Sequence, residues 1–340
     1  MAPEDGEVGK VRVITRDNGA GLSRDLAIVA DVLRAHHEVS AVGLGSHRLG
    51  ARLRHWWTRA RCRLRGRYDA QLSLERVYAQ TLDCAGRNLL IPNPEWFKPE
   101  WVALLPRFEH VLCKTRHAEP LFAQLGCSTL YTGFTCADRF DPSVPRQAAF
   151  FHLAGRSTAK GTDVVIDAWR RHPEWPCLTV VQRKRHARPG PAAPNIVMLA
   201  GYLDDAGLQR LQNAHRFHIC PSEVEGFGHS IAEAMSVGAV VLTTDAAPMN
   251  ELVDPACGLL LTCTPGAQMG LGRRYHVSVD AIEAGVARAL RLSSTECVQL
   301  GQRARTRFVQ RDAAFRERLA AVLCSVPASV QAQDADHPHA

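Results

Sequence analysis

Short apolar runs closed by glycine, proline or a polar turn recur along this chain, and stretches of helical periodicity fill the gaps between them. Val11 to Thr15, Glu38 to Leu44, Tyr68 to Leu74 and His110 to Arg116 are short and continuous, so they predict buried strands. Asn88 opens another such run, which leads into the proline-locked loop Pro92-Asn-Pro-Glu-Trp-Phe97. Leu22 to Leu33 and Ala118 to Leu125 place apolar residues at helical spacing between them. The alternation resumes with strand-like runs at Ala149 to Gly155, Cys177 to Val181, Ile196 to Leu199, Phe217 to Ser222 and Ala239 to Thr244. Helical patterns separate these at Asp163 to Arg170, Ala206 to Ala214 and from His229 to Gly238. A long helical region, Val279 to Leu323, closes the pattern.

Strands alternating with helices build parallel sheets covered on both faces, the α/β class. Asp141 to Gln147 carries two prolines and reads as a linker. It divides the chain into a first domain of residues 1–147 and a second of residues 148–324. Residues 325–340 are polar and broken by proline, and are expected to be disordered. The glycines of Asp17-Asn-Gly19-Ala-Gly21, between the first strand and its helix, give a Rossmann-like opening without the full dinucleotide fingerprint.

The most informative stretch is Phe217-His-Ile-Cys-Pro-Ser222 followed by Glu225-Gly-Phe-Gly-His-Ser-Ile-Ala-Glu233. A strand stopped by Pro221 meets a turn at Gly226 and Gly228, where the missing Cβ lets the backbone approach a ligand. The helix that follows presents the unpaired N–H groups of its first turn to an anion. Glu225 and Glu233 flank that point. They would repel a phosphate but can accept hydrogen bonds from hydroxyls on either side of it. An ordinary βαβ crossover with two solvated glutamates is the plainer alternative.

Glycine turn, helix start and paired glutamates resemble the E-x7-E signature of the retaining group 1 (family 4) glycosyltransferases. Asp245-Ala-Ala-Pro-Met-Asn-Glu251-Leu-Val and Gly258-Leu-Leu-Leu extend the likeness. Gly155-Arg156-Ser-Thr-Ala-Lys160-Gly is similar to that family's G-R…K-G phosphate motif, one residue shorter between the two cations. The resemblance implies a GT-B fold, two Rossmann-like domains facing a central cleft, with the acceptor domain first and the nucleotide-sugar donor domain second. It implies transfer of a sugar from a nucleotide-diphosphate sugar to an acceptor hydroxyl with retained configuration. The leaving phosphate would assist deprotonation of the acceptor on the same face.

On this reading Arg156, Lys160 and Glu225 carry the chemistry. The two cations would neutralise the departing diphosphate, Glu225 would hold hydroxyls of the donor sugar, and Glu233 the ribose. Further donor contacts are expected from Gly19, Gly21, Gly155, Tyr202, Gly226, Phe227, Gly228, His229 and Ser230. Glu75, at a strand end comparable to the position of a histidine in many relatives, and His117 are the acceptor-side candidates. Asp204 and Asp205 read as the N-cap and first-turn acids of a helix. Relatives position the diphosphate with protein cations, so neither a metal nor a cofactor besides the nucleotide sugar is expected. A catalytically silent nucleotide-sugar-binding module is the rival from another class.

The 340 residues, 46% of them hydrophobic, suffice for two cores. No apolar run is long enough for a spanning helix, and the acidic start lacks the apolar region of a secretory signal. Eleven cysteines occur without a C-x-x-C pair, as expected of reduced thiols. The expected location is cytoplasmic, with peripheral attachment at the inner membrane face if the segment described next meets lipid.

Arg48 to Arg67 holds arginine at 48, 52, 54, 59, 61, 63, 65 and 67 and no acid. Leu49, Leu53, Trp56, Trp57, Ala60 and Leu64 fall within an arc of about 100° on a helix. Such a helix can pack its stripe into the first domain, lie in the headgroups of an anionic membrane, or grip a polynucleotide. The membrane surface, with a lipid-linked or envelope-glycan acceptor, is the favoured partner. A DNA-modifying transferase is the alternative.

Overall fold

The computed structural model describes residues 9–16, 21–44, 56–62, 64, 66–155, 157–186, 191–201 and 203–324. Gly19, Arg156, Tyr202, residues 45–55, 63 and 65 of the basic region, and the tail from 325 onward lie outside the described residues. The first half comprises β1 (Lys10–Arg16), α1 (Gly21–Arg34), β2 (Glu38–Leu44), α2 (56–62), β3 (Tyr68–Glu75), β4 (Ala85–Pro92), β5 (His110–Cys113), α3 (Ala118–Ala123) and β6 (Thr129–Tyr131). Its six strands form one sheet in the order β2-β1-β3-β4-β5-β6. Every pairing is parallel, with Val13 opposite Leu72 and Leu72 opposite Leu89. All three are buried, as the inner strands of a sheet covered on both faces must be.

The second half comprises β7 (Gln147–Gly155), α4 (Thr162–Arg171), β8 (Leu178–Gln182), β9 (Ile196–Leu199), α5 (Asp205–Ala214), β10 (His215–Cys220), α6 (His229–Ser236), β11 (Val240–Thr244), α7 (Met249–Leu252) and β12 (Gly258–Leu261). A second six-stranded parallel sheet results, ordered β12-β11-β10-β7-β8-β9. Asp204 caps α5, accepting the Gly207 N–H at 2.7 Å, and Asp205 pairs with Arg139 at 2.7 Å.

Two features differ from the sequence pattern. The hairpin of β13 (Thr264–Met269) and β14 (Gly272–His276) has no alternating apolar face to announce it. Tertiary contacts hold it instead: Leu271 N–H donates to Pro94 O at 2.8 Å and Tyr275 N–H to Glu223 O at 2.7 Å. The long helical region is two helices, α8 (Val279–Leu290) and α9 (Ser294–Cys324). A capping box starts the second, with Glu296 N–H donating to Ser293 Oγ at 3.2 Å and Ser293 N–H to Glu296 Oε2 at 2.8 Å.

The far end of α9 returns to the first sheet. Phe315, Leu319 and Val322 are buried in one core with Val13, Leu72, Leu89, Ile231 and Met235. Arg316 reaches Asp31 at 3.2 Å, and Arg87 donates to Val322 O at 3.1 Å. Both sheets are thereby tied through one packed interior.

The described part of the basic segment does not use its tryptophans for packing. In α2, Thr58 Oγ1 accepts from the buried Arg12 at 3.2 Å, and Cys62 Sγ approaches Cys84 O at 3.9 Å. Those residues share one helical face; Trp56, Trp57 and Leu64 occupy the opposite one, at 62%, 66% and 85% exposure. Among the described residues no helix is long and apolar enough to cross a membrane.

Candidate active site

In an open parallel sheet a crevice forms at the carboxyl ends of the strands where chain order reverses, because neighbouring loops there leave in opposite directions. The second sheet reverses between β7 and β10, the first between β1 and β3. The loops after β7 and β10 carry Lys160 and Glu225.

Local chemistry fixes these two loops against each other. Gly155 and Gly161 have φ of 57° and 64°, and a Cβ on Gly161 would stand 2.5 Å from Pro221 O. Only glycine lets the loop after β7 lie on the end of β10. Glu223 N–H donates to Ala159 O at 3.0 Å. Beneath them the buried His152 joins β7 to β10 and α4: its Nδ1 donates to Ile219 O at 2.7 Å and its Nε2 accepts from Thr162 Oγ1 at 2.9 Å. Burial pushes His152 down to about 4, so it is a neutral strut and not an acid–base group.

Lys160 Nζ contacts Glu225 Oε1 and lies 3.2 Å from Ser230 Oγ, to which it donates. Gly228, with φ of 105°, carries the chain into α6, and no side chain caps that helix. A lysine, a hydroxyl and the open first turn of a helix therefore converge, with a carboxylate beside them. Such an arrangement can receive a phosphorylated group that also bears hydroxyls.

The elements around the first sheet supply more than the sequence indicated. Asp25, in α1, pairs with Lys114 Nζ at 2.6 Å and with His229 Nε2 at 2.6 Å, and Asp25 and Lys114 are each 4% exposed. Burial alone would raise the Asp25 carboxyl, but Lys114 and His229 together hold it well below the usual carboxylate range. The His229 side chain thus reaches across to α1. Glu233 accepts from Arg24 at 2.8 Å and from Gln212 Nε2 at 2.7 Å.

Glu75 ends β3 beside the reversal in the first sheet. It is buried and has φ of 64°, the one positive φ on a described residue other than glycine. Such strain persists where the surroundings over-determine it, often at functional sites. Burial pushes its carboxyl up, against the opposing charges of Arg76 and Lys114. His117 lies at the start of α3, where its backbone N–H donates to Glu251 Oε1 at 2.6 Å; no contact among the described residues places its side chain in the lysine–glutamate cluster.

Asn93 and Glu95, in the proline-locked loop after β4, lie near the glycine turn. A Cβ on Gly226 would meet the Asn93 side chain at 2.6 Å, so the glycine turn closes on the first domain. Glu95 is buried with Oε2 unpartnered, and burial, reinforced by the charge on Glu225, pushes it up to about 7. Their place at a strand's carboxyl end was the available signal. Gly21 opens α1, Gly155 ends β7, and Phe227 is buried against Phe134 with ring centroids 5.4 Å apart. No group of three or more His, Cys, Asp or Glu among the described residues is arranged to hold a metal.

Residues 150–269 match the family described as glycosyl transferases group 1. No curated protein matches the chain in sequence. Among solved structures, the chain is similar to a sucrose-phosphate synthase from Thermosynechococcus elongatus, with a TM-score of 0.70 at 14% identity over 93% of this chain and 98% of that one. A glycosyltransferase from Rickettsia africae gives 0.67 at 13%, over 93% and 98%. HepE from Anabaena, solved in complex with UDP and glucose, gives 0.66 at 17%, over 94% and 100%.

Proposed function

We propose that this glycosyltransferase of GT-B fold, whose residues 150–269 match the group 1 family, moves a sugar from a nucleotide-diphosphate sugar to an acceptor hydroxyl with retained configuration. The observation that carries the reading is Lys160 set against Glu225 and Ser230 at the open start of α6. As the bond from the sugar's anomeric carbon to the diphosphate breaks, negative charge collects on the leaving oxygen. Lys160, together with Arg156, stabilises it there. The new bond forms from the acceptor oxygen on the same face, and its proton passes to the departing phosphate.

Glu225 engages donor-sugar hydroxyls and Glu233 the ribose, while Arg24 and Gln212 hold Glu233 in place. Residues 1–147 serve the acceptor and residues 148–324 the donor, and the nucleotide sugar is the only small molecule the reaction requires. That HepE from Anabaena has been solved in complex with UDP-glucose supports this choice of donor. Glu75 faces the acceptor side, where its strained backbone fixes its direction.

The acceptor is a lipid-linked or envelope glycan reached at an anionic membrane surface. The exposed Trp56 and Trp57 support this, since α2 turns its other face to the protein. Thermal-shift titration with UDP-, GDP-, ADP- and TDP-sugars tests the donor site. One nucleotide class should raise the Tm of the wild type and not of Lys160→Ala. Stabilisation by none of them, or equal stabilisation of both proteins, would contradict the proposal.

A further inference from the structure

A cavity of about 390 Å³ lies where the segment joining the two sheets meets α9 and the glycine turn. Lys114 and Tyr131 enter it from the first domain, Phe227 from the glycine turn, and Arg307, Arg311 and Arg318 from α9. Four cations face a single carboxylate, that of Glu251.

Two of the cations are already neutralised. Lys114 pairs with Asp25, and Arg307 with Asp254 at 2.6 Å. The Glu251 carboxylate is taken up by the backbone N–H groups of Arg116 and His117, at 2.8 and 2.6 Å. Arg311 and Arg318 have no carboxylate partner among the described residues. Arg311 donates to Glu251 O, and Arg318 to Thr132 O at 3.5 Å while lying 5.0 Å over the Tyr131 ring. Each guanidinium has five donors in a planar fork, so most remain available, and that fork matches a phosphate.

We propose that this cavity binds a small phosphate-bearing anion, gripped by Arg311 and Arg318. Phe134, Phe227 and Leu252 offer its non-phosphate part an apolar wall. The cavity borders the donor cluster, since Phe227 stands at both and Lys114 shares Asp25 with His229, but its grip on the anion comes from α9 and does not depend on Lys160 or Glu225. Its walls come from both domains, so the anion bridges them.

Calorimetric titration with inorganic pyrophosphate tests this in an Arg156→Ala/Lys160→Ala background, which removes the donor-site cations. Binding should persist there, weaken as salt is raised, and fall by about tenfold or more when Arg311→Gln and Arg318→Gln are added. If that combination does not fold, Arg318→Glu alone, on an exposed side chain, should give the same loss with an unchanged circular dichroism spectrum. Absence of pyrophosphate binding in the background protein, or binding indifferent to the α9 substitutions, would overturn the proposal.

Discussion

Glu95→Gln is a substitution whose effect should change with pH in a defined direction. The carboxyl sits under the turn between β13 and β14, with its Cβ 3.7 Å from where a Cβ on Gly272 would stand. Burial pushes it up from 4.5 to about 7, and nearby Glu225 adds to the rise. The folded protein therefore keeps the Glu95 proton in a range where the unfolded chain has released it. Stability is full below the ordinary value and declines as pH climbs from about 4.5 to about 7. The difference corresponds to on the order of 3 kcal/mol once both states are ionised. Glutamine keeps the volume and cannot ionise. Near pH 4 the variant should match the wild type; at pH 8 it should be more stable by up to ~3 kcal/mol, or roughly 4 °C in Tm for a chain of this size. Thermal unfolding followed by circular dichroism from pH 4 to pH 8 reads this directly. A difference in Tm that did not vary with pH would refute the reasoning.

Glu225→Gln should impair sugar transfer more than nucleoside diphosphate affinity, and Glu233→Gln the reverse; equal loss of diphosphate binding in both, by calorimetry, would undo the division of roles. Gly226→Ala should cost about 1–3 kcal/mol through overpacking on Asn93, visible in thermal unfolding and relieved by adding Asn93→Ala; additive effects of the two changes would mean the contact is unimportant. Trp56→Ala/Trp57→Ala should leave Tm unchanged, because both rings are exposed, yet weaken sedimentation with anionic vesicles. Gel shift of duplex or single-stranded DNA without vesicle binding would favour a nucleic-acid acceptor instead.

The order of strands and helices was legible because each inner strand is a short apolar run, as at β1, β3 and β10. The turn at Gly226 and Gly228 was legible because glycines, a preceding strand and a following helix stood in sequence. What joins the turn to the first domain was not. The Asp25–His229 and Arg24–Glu233 contacts span most of the chain, and an aspartate or arginine on an amphipathic helix looks like any solvated residue until the fold brings its partner to it. The β13–β14 hairpin stayed hidden for a related reason, since backbone bonds to Pro94 and Glu223 stand in for an apolar face. The break before α9 was written in Ser293 to Glu296 but lay inside continuous helical periodicity. Lys160 and Glu225 were each singled out in the sequence, and their meeting follows only from chain reversal between β7 and β10.

The central claim is transfer from a nucleotide sugar with retention at the anomeric carbon, and proton NMR of slow donor hydrolysis tests it most directly. With water standing in for the acceptor, the wild type should release nucleoside diphosphate and, first, the sugar anomer matching that of the donor. Arg156→Ala and Lys160→Ala should each slow release on the order of 10²-fold or more while remaining folded. First release of the opposite anomer, or turnover undiminished in folded Lys160→Ala, would contradict the account.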